Sequence, residues 1–365
     1  MPLPPLVEPV AALSEAERAR TARHRSLAGV GDLGQRRLAA AHVAVVGAGG
    51  IGSPVVLALA AAGVGALTVI DDDVVEISNL QRQVIHRRED SGEPKVASAA
   101  RAAAHLSDTF VHGVRERLSP SNARRLLEGA DLVIDGSDTF DTREAVAAAC
   151  EELGVPLVWG TVQAFDAQVT VFWSSPPAGE APVRLADLYP PGSVGEVPTC
   201  EEVGVLGALC LQVGSLLSME AVKLITGIGE PLLGRVLVID GLRARQREVP
   251  LRRARVRPAA VQPVPQVTPE SVDLARATIV DVREDHEVST GMIAGARHVP
   301  LGRLLADPRV LAGSEDLVIV CEVGMRARRA AEALRAAGIP ASVLAGGMRA
   351  WNAAEGAHGG RGVRA

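Results

Sequence analysis

Aromatic residues make up only 2% of this 365-residue chain, and lysine is almost missing: of 38 basic residues, only Lys95 and Lys223 are lysines. Its cores must therefore be built from Ala, Val and Leu, within a composition that is 47% apolar. The four cysteines, Cys150, Cys200, Cys210 and Cys321, form no CxxC pair. That spacing offers neither a disulfide framework nor a zinc cage, so no zinc is expected. The first twenty residues lack a basic segment followed by an apolar run, and no signal peptide is read there. The most apolar stretch, residues 54–70, is broken by Gly63 and Gly65 and reads as helix, turn and strand rather than a membrane span. A net charge of −5, with arginines scattered rather than striped, argues against a nucleic-acid or anionic-membrane surface. The expected location is cytoplasmic.

The length suits two or three domains. Residues 1–19 read as a flexible Pro/Ala-rich arm, and residues 20–250 as one nucleotide-binding domain. Its alternating apolar segments (AHVAVVG, GALTVID, DLVIDGSD, VPLVWGTV, AQVTVFW, GRVLVID) predict a Rossmann-like, doubly wound α/β sheet. A long apolar helix is expected over residues 206–226. Residues 251–268, with Pro258, Pro263 and Pro265 among arginines, read as a semi-rigid linker. A smaller α/β domain follows over 269–353, and residues 354–365 as a tail.

Gly47, Gly49 and Gly52 form GxGxxG between a strand and a helix, with Asp71 nineteen residues further on. Such glycines admit a phosphate to a helix N-terminus, and the aspartate can accept from a ribose hydroxyl. Alone, this pattern does not separate NAD from ATP. The segment after it, DDDVVEISNLQRQ, brings Asp73, Asn79, Arg82 and Gln83 into one loop, and Lys95 follows GEP. Carboxylate, amide, guanidinium and ammonium together suit a triphosphate attacked at its α-phosphorus, where charge develops on both products. In a chain so rich in arginine, a lysine at this place points to a need for a compact ammonium. Taken singly, Asp71 and Asp73 also read as strand-end caps, and Arg82 as a solvated surface charge.

From RTARHRSLAGVGDLGQ through GAGGIGSP, SNLQRQ, DLVIDGSD, TCEEVGVLG and EAVKLITGIGEPLLGRVLVID, about 230 residues, the chain resembles the MoeB/ThiF/ubiquitin-activating adenylyltransferase family. Within that family it looks closest to the actinobacterial MoeZ type, which carries a rhodanese domain. The resemblance implies ATP and Mg²⁺, with Gly50 and Asp71 at the nucleoside and Asn79, Arg82 and Lys95 at the phosphates. Ser78, Leu80, Gln81 and Thr139 join the implied binding set, and Asp138 is the implied Mg²⁺ ligand. A homodimer is also implied, with Arg23 reaching into the partner subunit's site. The family's Asp-Asn is here Asp138-Thr139, and the Asn of the following helix is replaced within AVAAAC. The stretches that hold two zinc-binding CxxC pairs in most members read PVRLADLYP and RVRPAAV.

Cys150 and Cys210 lie in apolar helical runs and read as small buried hydrophobes. Cys200, in PTCEEVGVLG, falls where the family keeps a mobile loop over the acyl-adenylate; a thiol there can attack the activated carbonyl or join a transient disulfide. Cys321 ends the apolar run LVIV and opens CEVGMRA, which leads into a helix. Backbone N–H groups, the helix N-terminus and Arg326 there favour a thiolate and its persulfide. With IVDVRED, IAGARHVP and LAGGMRAW, about 85 residues resemble a rhodanese domain. Arg326 follows Cys321 after four residues, one fewer than the Cys-x5-Arg of phosphatases, and the family's usual Ser is Ala327.

The function implied is adenylation of the terminal glycine of a ubiquitin-fold sulfur carrier ending in Gly-Gly. Sulfur transfer from a Cys321 persulfide then gives a thiocarboxylate, as in molybdopterin synthesis. The sulfur donor is a cysteine desulfurase or thiosulfate. The alternative is an adenylyltransferase with a silent docking rhodanese domain, serving thiamine, cysteine or natural-product carriers.

Overall fold

The computed structural model describes residues 3–190, 204–251 and 264–359, apart from 275, 290 and 315. The chain divides into two compact units, residues 1–255 and 256–365.

The first unit is built on eight strands: β1 His42–Val46, β2 Ala66–Ile70, β3 Phe110–Val114, β4 Leu132–Asp135, β5 Leu157–Gln163, β6 Asp166–Phe172, β7 Arg235–Asp240 and β8 Arg245–Pro250. They lie in the order β3-β2-β1-β4-β5-β6-β7-β8. Strands β3 to β5 in this order are parallel, and β6, β7 and β8 return as an antiparallel extension. The predicted doubly wound arrangement thus holds for the parallel half. In that half β1 (HVAVV), β4 (LVID) and the first four residues of β5 (LVWG) are nearly continuous buried runs, as strands covered on both faces require. The pattern did not offer β3 or β8. Every residue of β8 is exposed, so backbone pairing with β7, not an apolar face, makes it a strand.

The helix Gly207–Thr226 buries Leu209, Val213, Leu217 and Leu224 against the helix Gly52–Ala62 and strands β5 and β6. Among the described residues it alone is long and apolar enough to cross a membrane, yet its apolar window is 56% buried inside the unit. Four of the scarce aromatics, Trp159, Phe172, Trp173 and Trp351, are buried, while Phe110 and Phe165 are exposed; Trp159 is fully buried between Phe172 and Tyr189. Where a flexible arm was expected, Leu3 joins the core and Leu6 N–H donates to Leu224 O at 3.1 Å. Residues Glu15–Arg20 then form a helix capped by Ser14.

The second unit is a parallel sheet in the order β11-β10-β12-β13-β9, from β9 Gln266–Val267, β10 Thr278–Asp281, β11 Arg297–His298, β12 Leu317–Val320 and β13 Ala341–Leu344. The expected linker is shorter than the proline pattern suggested, because Gln266 and Val267 pair with β13. Residues 252–263 lie outside the described residues. The helix Gly347–Gly359 runs past residue 353, where the tail was expected to begin, and is anchored by buried Met348 and Trp351.

Candidate functional site

In the parallel half of the first sheet, β2 lies on one side of β1 and β4 on the other, so the crossovers diverge beyond the carboxyl end of β1. An open cleft is the geometric consequence. The glycine loop fills one wall. Gly47 leaves β1 at φ +88°, and a side chain at Gly52 would sit 1.8 Å from the Gly47 carbonyl. The loop therefore turns tightly into its helix. At the end of β2, Asp71 Oδ2 accepts from Ala48 N–H at 2.7 Å and Oδ1 from Asp73 N–H at 2.9 Å. The aspartate read as a ribose acceptor thus also braces the loop, the strand-end role that its position allowed.

The segment carrying SNLQRQ is laid against the start of the long helix: a side chain at Gly207 would lie 2.3 Å from Gln81 O. This close approach places Arg82 and Gln83 in the wall of the cavity that holds Gly47, Gly49, Gly50, Asp71, Asp73, Lys95, Asp138 and Thr139. Gly52 stands behind the loop, and Ser78, Asn79, Leu80 and Gln81 are not part of the lining. Asn79 is buried; its Oδ1 accepts from Glu76 N–H and so shapes the turn that presents Arg82. Arg23, on the short helix Ala22–Arg25, lies outside this cavity too.

Lys95 opens the helix Lys95–Ala104 and is 6% exposed, with Nζ 2.8 Å from Asp73 Oδ2. Asp71, Asp72 and Asp73 bring oxygens within 4.8 Å of one another, but backbone donors and Lys95 already engage two of them. Asp138 is exposed at the rim, the better placed carboxylate for a solvated cation. Residues that the sequence did not suggest also line the cavity: Glu116, Arg117, Ser137, Thr142, Arg143 and Cys210. Arg143 is buried; it donates to Ser137 O and Thr161 Oγ1 and leaves Nε unpaired. Below it, fully buried Asp135 is pushed above the usual carboxylate range by desolvation, with Arg143 and Ser137 opposing. Cys210 Sγ sits against Gly50, where an added methyl would come within 3.1 Å. Its place there follows from the long helix docking on the loop, which periodicity alone does not reveal.

Cys200 lies outside the described residues. In the second unit Cys321 directly follows β12 and is 1% exposed. Its Sγ accepts from the N–H of Gly324 at 3.2 Å and of Ala327 at 3.4 Å, and Met348 N–H donates to its carbonyl. Ala327 gives the sulfur its backbone N–H, and the hydroxyl that a Ser would add at this position has no replacement from its methyl side chain. Arg326 is not a bare charge beside the sulfur: both its terminal nitrogens are bound by Glu287, at 2.5 and 2.6 Å. Glu287 stands 39 residues away in sequence, which is why local reading missed it. Glu322, inside the loop, accepts from buried Arg283.

The ThiF family profile matches residues 21–259, and the rhodanese-like domain profile residues 268–354. A probable adenylyltransferase/sulfurtransferase MoeZ of Mycobacterium tuberculosis is 40% identical over 378 residues, covering 96% of each chain. A sulfur carrier protein adenylyltransferase of Thermus thermophilus is 45% identical over 233 residues, 63% of this chain and 86% of that one. Among solved structures, E. coli MccB with ATP superposes at a TM-score of 0.53 over 67% of this chain and 74% of that one; at 20% identity this shares the fold alone. With a profile match across most of its length and a relative this similar from end to end, the chain belongs to the ThiF family and carries a rhodanese-like domain at its C-terminal end.

Proposed function

We propose that this enzyme adenylates the C-terminal glycine of a ubiquitin-fold sulfur carrier and then converts the acyl-adenylate to a thiocarboxylate. The observation that carries the reading is the single cavity in which the glycine loop, Arg82, Lys95 and Asp138 meet. Its residues fit a metal-bound triphosphate. A close-approach glycine cradle admits phosphate, two flanking cations meet its charge, and a rim carboxylate offers a hard oxygen ligand. In this reading Arg82 and Lys95 hold the phosphates, and Lys95 exchanges Asp73 for them as they arrive. Asp138 would hold Mg²⁺, which when bound would supply positive charge against the triphosphate. Gly50 and Asp71 face the nucleoside, while Ser78, Asn79, Leu80 and Gln81 shape the loop. Arg23 completes the partner subunit's cavity in a cytoplasmic homodimer.

Sulfur arrives as a persulfide on Cys321, from a cysteine desulfurase or thiosulfate. The loop N–H groups that point at Sγ are the donors such an anion needs. The outer sulfur attacks the adenylate carbonyl and AMP leaves, giving an acyl disulfide on Cys321. Either the Cys200 thiol attacks the Cys321 sulfur, which releases the thiocarboxylate and leaves a Cys200–Cys321 disulfide for an external thiol to reduce, or Cys200 first holds the acyl group as a thioester. The carrier ends in Gly-Gly, and molybdopterin synthesis is the pathway proposed. A silent docking rhodanese domain is the rival reading, and the Arg326–Glu287 pair is the feature in its favour.

One comparison separates them. Cys321→Ala keeps carrier-dependent ATP–pyrophosphate exchange but loses thiosulfate:cyanide sulfur transfer and carrier thiocarboxylate, read by intact mass. Thiocarboxylate formed at the wild-type rate by Cys321→Ala, with an enzymatic persulfide donor, would establish the docking role instead.

A further inference from the structure

Ala48, inside the glycine loop, is held at both its polar groups by side chains from elsewhere. Its N–H donates to Asp71 Oδ2 at 2.7 Å, and its carbonyl lies 3.0 Å from His86 Nε2 and 3.2 Å from Ser53 Oγ. His86 is buried just after the SNLQRQ segment. A carbonyl only accepts, so Nε2 carries a hydrogen. Across the ring, Nδ1 is 2.9 Å from Ser98 Oγ, and that oxygen is 2.7 Å from Asp90 Oδ2. Asp90 Oδ2 also accepts from Arg87 N–H, and Arg101 binds the other oxygen.

A serine hydroxyl has a single proton to give. If Ser98 gives it to ring nitrogen Nδ1, its oxygen faces the Asp90 carboxylate with no hydrogen between them. If Ser98 gives it to Asp90, Nδ1 must itself be protonated to complete the remaining contact. Only the imidazolium form of His86 satisfies the whole chain from Ala48 through Ser98 to Asp90. The charged groups around the ring are Asp71 at the end of β2, Asp90 in the turn before Lys95, and Lys95 on the helix that carries Ser98. Burial is the largest influence and holds His86 below its ordinary value, with Lys95 acting the same way and Asp71 and Asp90 opposing. A polyphosphate seated on the loop brings negative charge to the far side of Ala48 and favours the protonated ring.

We propose that His86 is a proton-linked positioning residue of the nucleotide loop: a nucleoside triphosphate binding over Gly47–Gly50 draws one proton from solvent onto Nδ1, and the imidazolium then donates to Ala48 and Ser98 together. This rests on the reading of the cavity as an ATP site. Linkage sets the sign: nucleotide binding takes up a proton, so affinity rises as pH falls through the window between the free and bound values.

The test is calorimetric titration of the full chain with ATP, without carrier, at about pH 7 in buffers of different ionisation enthalpy. His86→Gln keeps a donor near the Nε2 position but cannot take up a proton; Ser98→Ala removes the relay. The expected result is proton uptake in the wild type that is lost in both variants. The phosphate ionisation of ATP itself is common to all three proteins and cancels in the difference. Equal uptake in wild type and in either folded variant overturns the proposal while leaving the ATP site standing. No ATP binding by the folded wild type overturns the site reading, and the proposal with it.

Discussion

Gly52→Ala tests whether the glycine loop is the working part of the first unit. The added Cβ would lie 1.8 Å from Gly47 O and 2.8 Å from Gly47 C, both backbone atoms. Ordinary contact would require about 1.5 Å more separation. Gly47 has little room to give: its N–H is bonded to Ile70 O at 2.8 Å, and its own Cβ position is 3.1 Å from Gly136 O. The strain is of the overpacking kind, about 1–3 kcal/mol, which lowers Tm by roughly 2–12 °C in a unit of this size. A loop displaced by about 1 Å should cost on the order of 100-fold in rate. The assay pairs a thermal melt with carrier-dependent ATP–pyrophosphate exchange, and thiosulfate:cyanide sulfur transfer by the second compact unit serves as an internal control. Gly302→Ala gives the contrast. Nothing lies within 4 Å of its Cβ position and it sits in the helix Leu301–Ala306, so that exchange should be neutral or stabilising by about 0.5–1 kcal/mol. Exchange within about threefold of wild type and an unchanged Tm in Gly52→Ala would refute the reasoning.

Lys95→Arg should lose about tenfold in exchange, about 1.4 kcal/mol of barrier, because a planar guanidinium does not fit a site that buries a compact ammonium against Asp73; near-normal exchange would return Lys95 to a purely structural pairing. Asp90 carries an acid-range prediction. Burial raises its pKa, but Ser98, the Arg87 N–H and Arg101 together hold it below the usual carboxylate range. A depressed acid contributes stability that is fully present above its unfolded value and lost as pH falls through the folded one. Asp90→Asn should therefore flatten the fall of Tm below about pH 4, and an unchanged acid limb would count against that role. Metal analysis of the purified protein should find no stoichiometric zinc, since the four cysteines lack paired spacing; one tightly bound zinc per chain would expose ligands that the spacing argument missed.

Much of this protein is written in short stretches of its chain. Residues 42–70 predict strand, glycine turn, helix and strand because each step depends on neighbours: a continuous apolar run, a turn with no room for Cβ, then an apolar helix closed by Gly63. The persulfide loop is equally local, since the N–H groups that face Cys321 belong to the next six residues. What could not be read there arises between segments distant in sequence. The exposed residues of β8 announce no strand until β7 offers its backbone, and the arm becomes core only when Leu3 meets the long helix. Lys95 and Arg326 are cations in any reading of the sequence, but only the folded chain pairs them with Asp73 and Glu287. Motif and composition determined which chemical groups the chain possesses and which turns its backbone must make. Tertiary packing decided which groups are already neutralised, because Coulomb and hydrogen-bond energies depend on separations of a few ångströms that distance along the chain does not encode.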